Sequence, residues 1–147
     1  MWHMKNLGPL PPTSLEIRDS IPVSLSHAAN TSWRIVGTGD MDGDRWPDLV
    51  WRDTAGAGPA AWFMRDGHVV SSTTLSHQVP DTNWRVVGVA DIARDGARDG
   101  KPDLIWRNDL TGDNAVWYMD GVNVSLTIYL TPREVLPSTG WRMVGVR

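Results

Sequence analysis

Carboxylates crowd one short stretch of this chain. Asp40-Met-Asp42-Gly-Asp44-Arg-Trp46-Pro-Asp48 places four of them at positions 1, 3, 5 and 9 of the segment. Alternate side chains in a tight loop can converge on one centre. A hard cation such as Ca²⁺ takes six to eight oxygens, which clustered carboxylates and a backbone carbonyl, here that of Trp46, can supply. Asp suits the task better than Glu because its short side chain keeps the oxygens near the loop. The competing reading is a solvated Asp/Gly turn whose side chains bond their own backbone. A second copy, Asp91-Ile-Ala-Arg-Asp95-Gly-Ala-Arg-Asp99-Gly-Lys-Pro-Asp103, carries four extra residues. If Asp95 is its position 1, an alanine stands at position 3, so this copy has lost a ligand or reroutes one through Asp91. Its added arginines also oppose a cation.

The second chemistry-bearing set is aromatic. The chain has nine tryptophans against a single phenylalanine. Trp51, Trp62, Trp106 and Trp117 are flanked by Arg52, Asp53, Arg107 and Asn108. Tryptophan offers a flat apolar face with one polar handle, suited to stacking on the C–H faces of sugars. We take Trp51, Arg52, Trp62, Trp106, Arg107 and Trp117 as candidate ligand-binding residues. The opposing reading is that large side chains repeat because they fill space between repeated sheets.

Both sets recur because the chain repeats. WRIVG at 33–37, WRVVG at 84–88 and WRMVG at 141–145 are spaced by 51 and 57 residues, a period that suits a four-stranded propeller blade. PDLVWRD at 47–53 matches PDLIWRN at 102–108, and WFMRDG at 62–67 matches WYMDG at 117–121. The segments are short, β-branched and aromatic, and bounded by Gly, Pro, Asp or Asn, as strands are. Asp66-Gly67 and Asp120-Gly121 fit two-residue hairpin turns. Trp33, Trp84 and Trp141 open the first strand of each repeat and read as packing residues. His27 and His77 recur in LSH fragments as turn residues, whereas His3 and His68 read as surface.

These patterns predict an all-β protein of about three four-stranded blade equivalents: a partial blade at 1–32, blades at 33–83 and 84–140, and a closing first strand at 141–147. Propellers typically need four to eight blades. The two ends are complementary, which predicts a ring completed by oligomerisation, most simply a homodimer exchanging end strands.

The repeated unit, running from the Asp loop through PDLVWR, AWFM and Asp-Gly to NWRVVG, resembles the FG-GAP or VCBS-type repeat of bacterial and integrin-like β-propellers. That resemblance implies a calcium loop between the first two strands, with Asp40, Asp42, Asp44 and Asp48 as ligands in one copy and Asp95, Asp99 and Asp103 in the other. The chain departs from it at Arg45, where a glycine is usual, and in the longer second loop. The repeat is also similar to those of oligomeric bacterial propeller lectins, which implies an extracellular or cell-surface setting.

Composition narrows the function classes. With no cysteine, thiolate metal sites and disulfides are excluded. A net charge of −3 without a lysine-rich run lacks the basic footprint of a nucleic-acid binder. No apolar run is long enough for a spanning helix, and MWHMKNLGPLPP lacks the apolar stretch of a signal peptide. No nucleophile motif, phosphate loop or zinc signature is present, and each close Asp pair belongs to a repeat loop. The sequence therefore predicts a non-enzymatic, carbohydrate-binding module, stabilised by calcium. Its alternative is a calcium-stabilised structural scaffold or adhesin fragment without a ligand of its own.

Overall fold

A computed structural model describes residues 32–134, with backbone alone for 131–134. Eight strands follow one another: β1 (Trp33–Gly39), β2 (Asp48–Asp53), β3 (Gly58–Arg65), β4 (His68–Thr74), β5 (Trp84–Ala90), β6 (Asp103–Asn108), β7 (Asp113–Asp120) and β8 (Asn123–Glu134). They form two four-stranded antiparallel sheets, β1-β2-β3-β4 and β5-β6-β7-β8, each a meander. Among the described residues there is no helix. The protein is all-β, and the two sheets have the form of partial propeller blades. The partial blade expected at 1–32, the strand expected at 141–147, and the strand exchange between them lie outside the described residues.

The two blades repeat one another in register. Trp33 faces Asp53 and Ile35 faces Trp51 across β1 and β2, as Trp84 faces Asn108 and Val86 faces Trp106 across β5 and β6. Each first strand then bulges at the same place, between Ile35 and Gly37 and between Val86 and Gly88. The turn between second and third strands is capped by the last residue of the second. Asp53 accepts the amides of Ala55 and Ala57, and Asn108 those of Leu110 and Thr111. One hairpin differs from expectation. Asp120 ends β7 paired with Asn123, so the turn is Gly121-Val122 and lies one residue beyond the Asp-Gly pair. The second copy is one residue shorter here than WFMRDG, which slides its glycine back to the first turn position.

The blades pack face to face. Val50 and Ala61 of the first and Val86, Leu104, Trp106, Ala115 and Trp117 of the second share one buried cluster, joined by Met41 and Leu75 from the connecting loops. Gly37 lets the sheets approach this closely, since a side chain there would collide with Val89. Fully burying side chains of this size contributes about 1.5–3 kcal/mol each, so the junction is a core rather than a surface contact. Further bonds tie the connecting segment to the second blade's turn, Ser76 N–H to the Val122 carbonyl at 3.0 Å and Val124 N–H to Ser76 Oγ at 2.9 Å.

Candidate functional site

The Asp loops join the first strand of each blade to its second. In the first, Asp48 anchors the loop. It is fully buried, and its two carboxylate oxygens accept the amides of Met41 at 2.7 Å and Met64 at 2.8 Å. Burial pushes its carboxyl above the ordinary value, against the pull of these two amides. Asp103 repeats the device in the second blade, taking Ile92 and Met119 amides at 2.9 Å, and burial raises it in the same way.

Around Asp48 the first loop gathers its other acids. Asp40, Asp42 and Asp48 bring one oxygen each to within 4.8 Å of one another. Ca²⁺–oxygen distances of roughly 2.3–2.6 Å allow two ligands of one ion to lie up to about 5 Å apart. These three carboxylates therefore fit a hard cation. Asp44 does not join the set. One of its oxygens accepts the Trp46 amide and the other the Arg65 guanidinium at 2.8 Å, and the Arg65 hydrogen bond holds its carboxyl below the usual value. Trp46 is exposed. The same loop also satisfies the turn reading, because Asp40 accepts Gly43 and Arg45 amides and Asp42 accepts that of Asp44. A carboxylate oxygen has two lone pairs, so the two roles coexist.

The second loop is built differently. Asp91 follows β5 directly and accepts the Gly100 amide, as Asp40 follows β1 and accepts that of Arg45. Asp91, rather than Asp95, thus stands at position 1. The four extra residues are pinched off by a small bridge between Arg94 and Ala97, which leaves Asp95 exposed beside Arg94 at 3.4 Å. Counted back from Asp103, Ala97 takes the place of Asp42 and Asp99 that of Asp44. Asp99 accepts the Lys101 amide, as Asp44 accepts that of Trp46. Lys101 itself pairs with Asp120 at 2.7 Å. Among the described residues no second set of three such ligands converges, although one oxygen of Asp91 is buried without a partner. The glycine missing at Arg45 is present here as Gly100. Both sit at left-handed backbone angles, φ 75° and 82°, where a side chain is strained.

The tryptophans of each blade pair with one another. Trp51 and Trp62 rings lie 4.4 Å apart between centroids, and Trp106 and Trp117 4.6 Å, both tilted. The first pair is half-buried, while Trp106 is 1% and Trp117 8% exposed. The arginines beside them are buried. Arg52 spends its Nη2 on the carbonyls of Val79 at 2.7 Å and Asp81 at 3.3 Å, and its guanidinium lies 5.6 Å from the centre of the Trp106 ring. It is a clasp across the blade junction, and burial lowers its pKa. Arg107 donates to Asn114 at 3.2 Å within its own blade.

Where the second pair meets the junction, a cleft of about 160 Å³ opens, lined by Val79, Trp84, Trp106, Ala115, Trp117, Thr127 and Tyr129. Trp84 and Tyr129 meet edge to face across 6.2 Å. The buried indole nitrogen of Trp106 has no hydrogen-bond partner. Trp84, Tyr129, Thr127 and Val79 were not among the residues the sequence marked for a ligand. Tyr129 faces Ala115 in the register where Thr74 faces Ala60, so no repeat marks it. A second hollow of about 420 Å³, with Asp40, Asp42, Lys101 and Asp120 in its wall, lies between the two Asp loops.

Fold and sites thus define an all-β protein with two blade-like sheets, one acidic loop that converges and one aromatic cleft. Comparison with protein-family models, curated proteins and solved structures found no match to this chain.

Proposed function

We propose that this chain is a non-enzymatic binding module that takes carbohydrate in the aromatic cleft beside its blade junction. One observation carries the reading: three tryptophans and a tyrosine wall a cleft of about 160 Å³. An apolar cavity of roughly 150 Å³ accommodates a benzene ring, so this one is sized for a single six-membered ring. Indole and phenol groups at its wall supply donors for ring hydroxyls, as amphipathic aromatics do at polar-apolar boundaries. Ca²⁺ in the Asp40, Asp42 and Asp48 loop belongs to this reading as a stabiliser of the blade, not as a reacting centre. Self-association, most simply as a dimer, belongs to it too and would multiply modest single-site affinity.

The test is a glycan array read with and without chelator, using the intact chain and Tyr129→Ala. Tyr129 is 50% exposed, so its loss spares the core. The reading expects retention of a defined set of saccharides, weakened at least about tenfold by Tyr129→Ala, the loss of about 1.4 kcal/mol. Absence of any retained saccharide overturns it. The near-complete burial of Trp106 and the Arg52 clasp favour the second reading, a structural scaffold, and that outcome would select it.

A further inference from the structure

Alternation along β2 turns Trp51 to the outer face of the first blade and sends Val50 and Arg52 to its inner face, against the second blade. Val50 joins the shared core there. Arg52, only 2% exposed, meets the segment that leads into β5. Its Nη2 donates to the carbonyls of Val79 at 2.7 Å and Asp81 at 3.3 Å, and more distantly to that of Trp84 at 3.5 Å. Its guanidinium lies 5.6 Å from the centre of the Trp106 ring. Val79, Trp84 and Trp106 are three of the seven residues that line the aromatic cleft, and Arg52 is not one of the seven. The arginine therefore stands behind the cleft wall and meets it at three points.

Packing alone does not account for an arginine here. Its Nε and Nη1 are buried with no partner. The neighbouring carboxylates are engaged elsewhere: Asp53 holds the Ala55 and Ala57 amides, and Asp81 holds Asn83 and Asn108. In the second blade Arg107 donates to the Asn114 side chain, but the register sets Pro59 opposite Arg52, and proline has no side-chain acceptor. A buried cation with idle donors is less favourable than an apolar side chain of its volume. What an apolar side chain lacks is a donor that reaches the carbonyls of residues 79–84.

We propose that Arg52 is the positioning residue of the cleft: reaching over from the first blade, it fixes the Val79 to Trp84 segment against Trp106 and so holds the second blade's cleft in its binding shape. The segment is short of other ties on that side. Its remaining bonds run within itself or to the turn after β6, from Trp84 N–H to the Asp81 carbonyl at 3.2 Å and from Asp109 N–H to the Asn83 carbonyl at 2.9 Å. Without the arginine, Val79 and Trp84 are free to swing away from Trp106, and a cleft sized for one ring loses its fit. That the cleft then loses a saccharide rests on the carbohydrate reading, whereas the hold on its wall does not.

Amide hydrogen exchange of the intact chain, Arg52→Met and Arg52→Gln tests the hold, and a fluorescence titration of the same three proteins with a panel of monosaccharides tests its consequence. Met has no donor and Gln is too short to reach the carbonyls, so Gln serves where Met does not fold. The proposal expects the Asn83 and Trp84 amides to exchange at least about tenfold faster in a folded variant, as in a local opening. The Met64 and Met119 amides, held by Asp48 and Asp103, keep their rates. Saccharide affinity falls at least about tenfold. Unchanged exchange at Asn83 and Trp84 overturns the proposal, as does full affinity in a variant whose segment has loosened. Equal acceleration at Met64 and Met119, or failure of both variants to fold, also overturns it and makes Arg52 a residue of the core. An intact chain that binds no monosaccharide strikes the carbohydrate reading alone, and the exchange rates still decide whether Arg52 holds the wall.

Discussion

The two blades hold the same frame by the same bonds, yet differ at the loop and at the outer face. Asp48 and Asp103 occupy equivalent buried positions and each accept two amides, one from the loop and one from the third strand. Around that shared anchor the first loop gathers Asp40 and Asp42, while the second has Ala97 and a pinched insertion. The two loops thus share the buried anchor and differ in the carboxylates gathered around it.

The largest expected contrast lies in the tryptophans. Trp106→Ala removes an enclosed ring and should cost about 3–5 kcal/mol, whereas Trp62→Ala on the half-buried pair should cost clearly less. Urea denaturation of both variants measures this. Equal costs would mean that the outer face of the first blade is as fully packed as the junction.

Calcium should sharpen the difference between the loops. A cation held only by the folded state, at about a hundred times its dissociation constant, stabilises by about 2.7 kcal/mol. Thermal unfolding with calcium and with chelator should show the shift in the intact chain, lose it in Asp42→Ala and keep it in Asp99→Ala. A shift that survives Asp42→Ala would place the ion elsewhere.

The anchors should behave alike. Asp48→Asn and Asp103→Asn each turn an amide nitrogen toward a buried backbone N–H, and an unsatisfied buried donor costs about 1–3 kcal/mol. Chelator-treated protein should show matching losses for the two variants. A wide disparity would mean that the frames are not equivalent. Smallest is the backbone effect, where Gly100→Ala should cost about 1 kcal/mol while Arg45→Gly costs nothing or stabilises slightly. Denaturant midpoints of the two variants test this.

The strands were legible because their signal is local. Trp-Arg-x-Val-Gly and Pro-Asp-Leu-x-Trp-Arg alternate between faces, and the repeat gives the first reading three times and the second twice. In the second Asp loop the spacing leaves position 1 open between Asp95 and Asp91, and only the Arg94–Ala97 bridge, which takes the extra residues out of the count, decides for Asp91. Spacing alone groups Asp44 with the other loop acids, because nothing in its own segment reveals Arg65, 21 residues on. The cleft escaped for the opposite reason to the strands. Tyr129 and Val79 differ from their counterparts in the other repeats, and a search for likeness passes over what is specific to one junction. Arg52 reads from the sequence as a ligand residue because it adjoins Trp51, whereas its bonds to the Val79 and Asp81 carbonyls come from tertiary structure alone.

The most direct test of the carbohydrate reading is a tryptophan-fluorescence titration of the intact chain and Tyr129→Ala with a panel of monosaccharides. Trp84, Trp106 and Trp117 line the cleft, so occupancy should change emission saturably in the intact chain, and the change should be lost or shifted to at least about tenfold higher concentration in Tyr129→Ala. No saturable change with any sugar, or an identical curve for the variant, would contradict it.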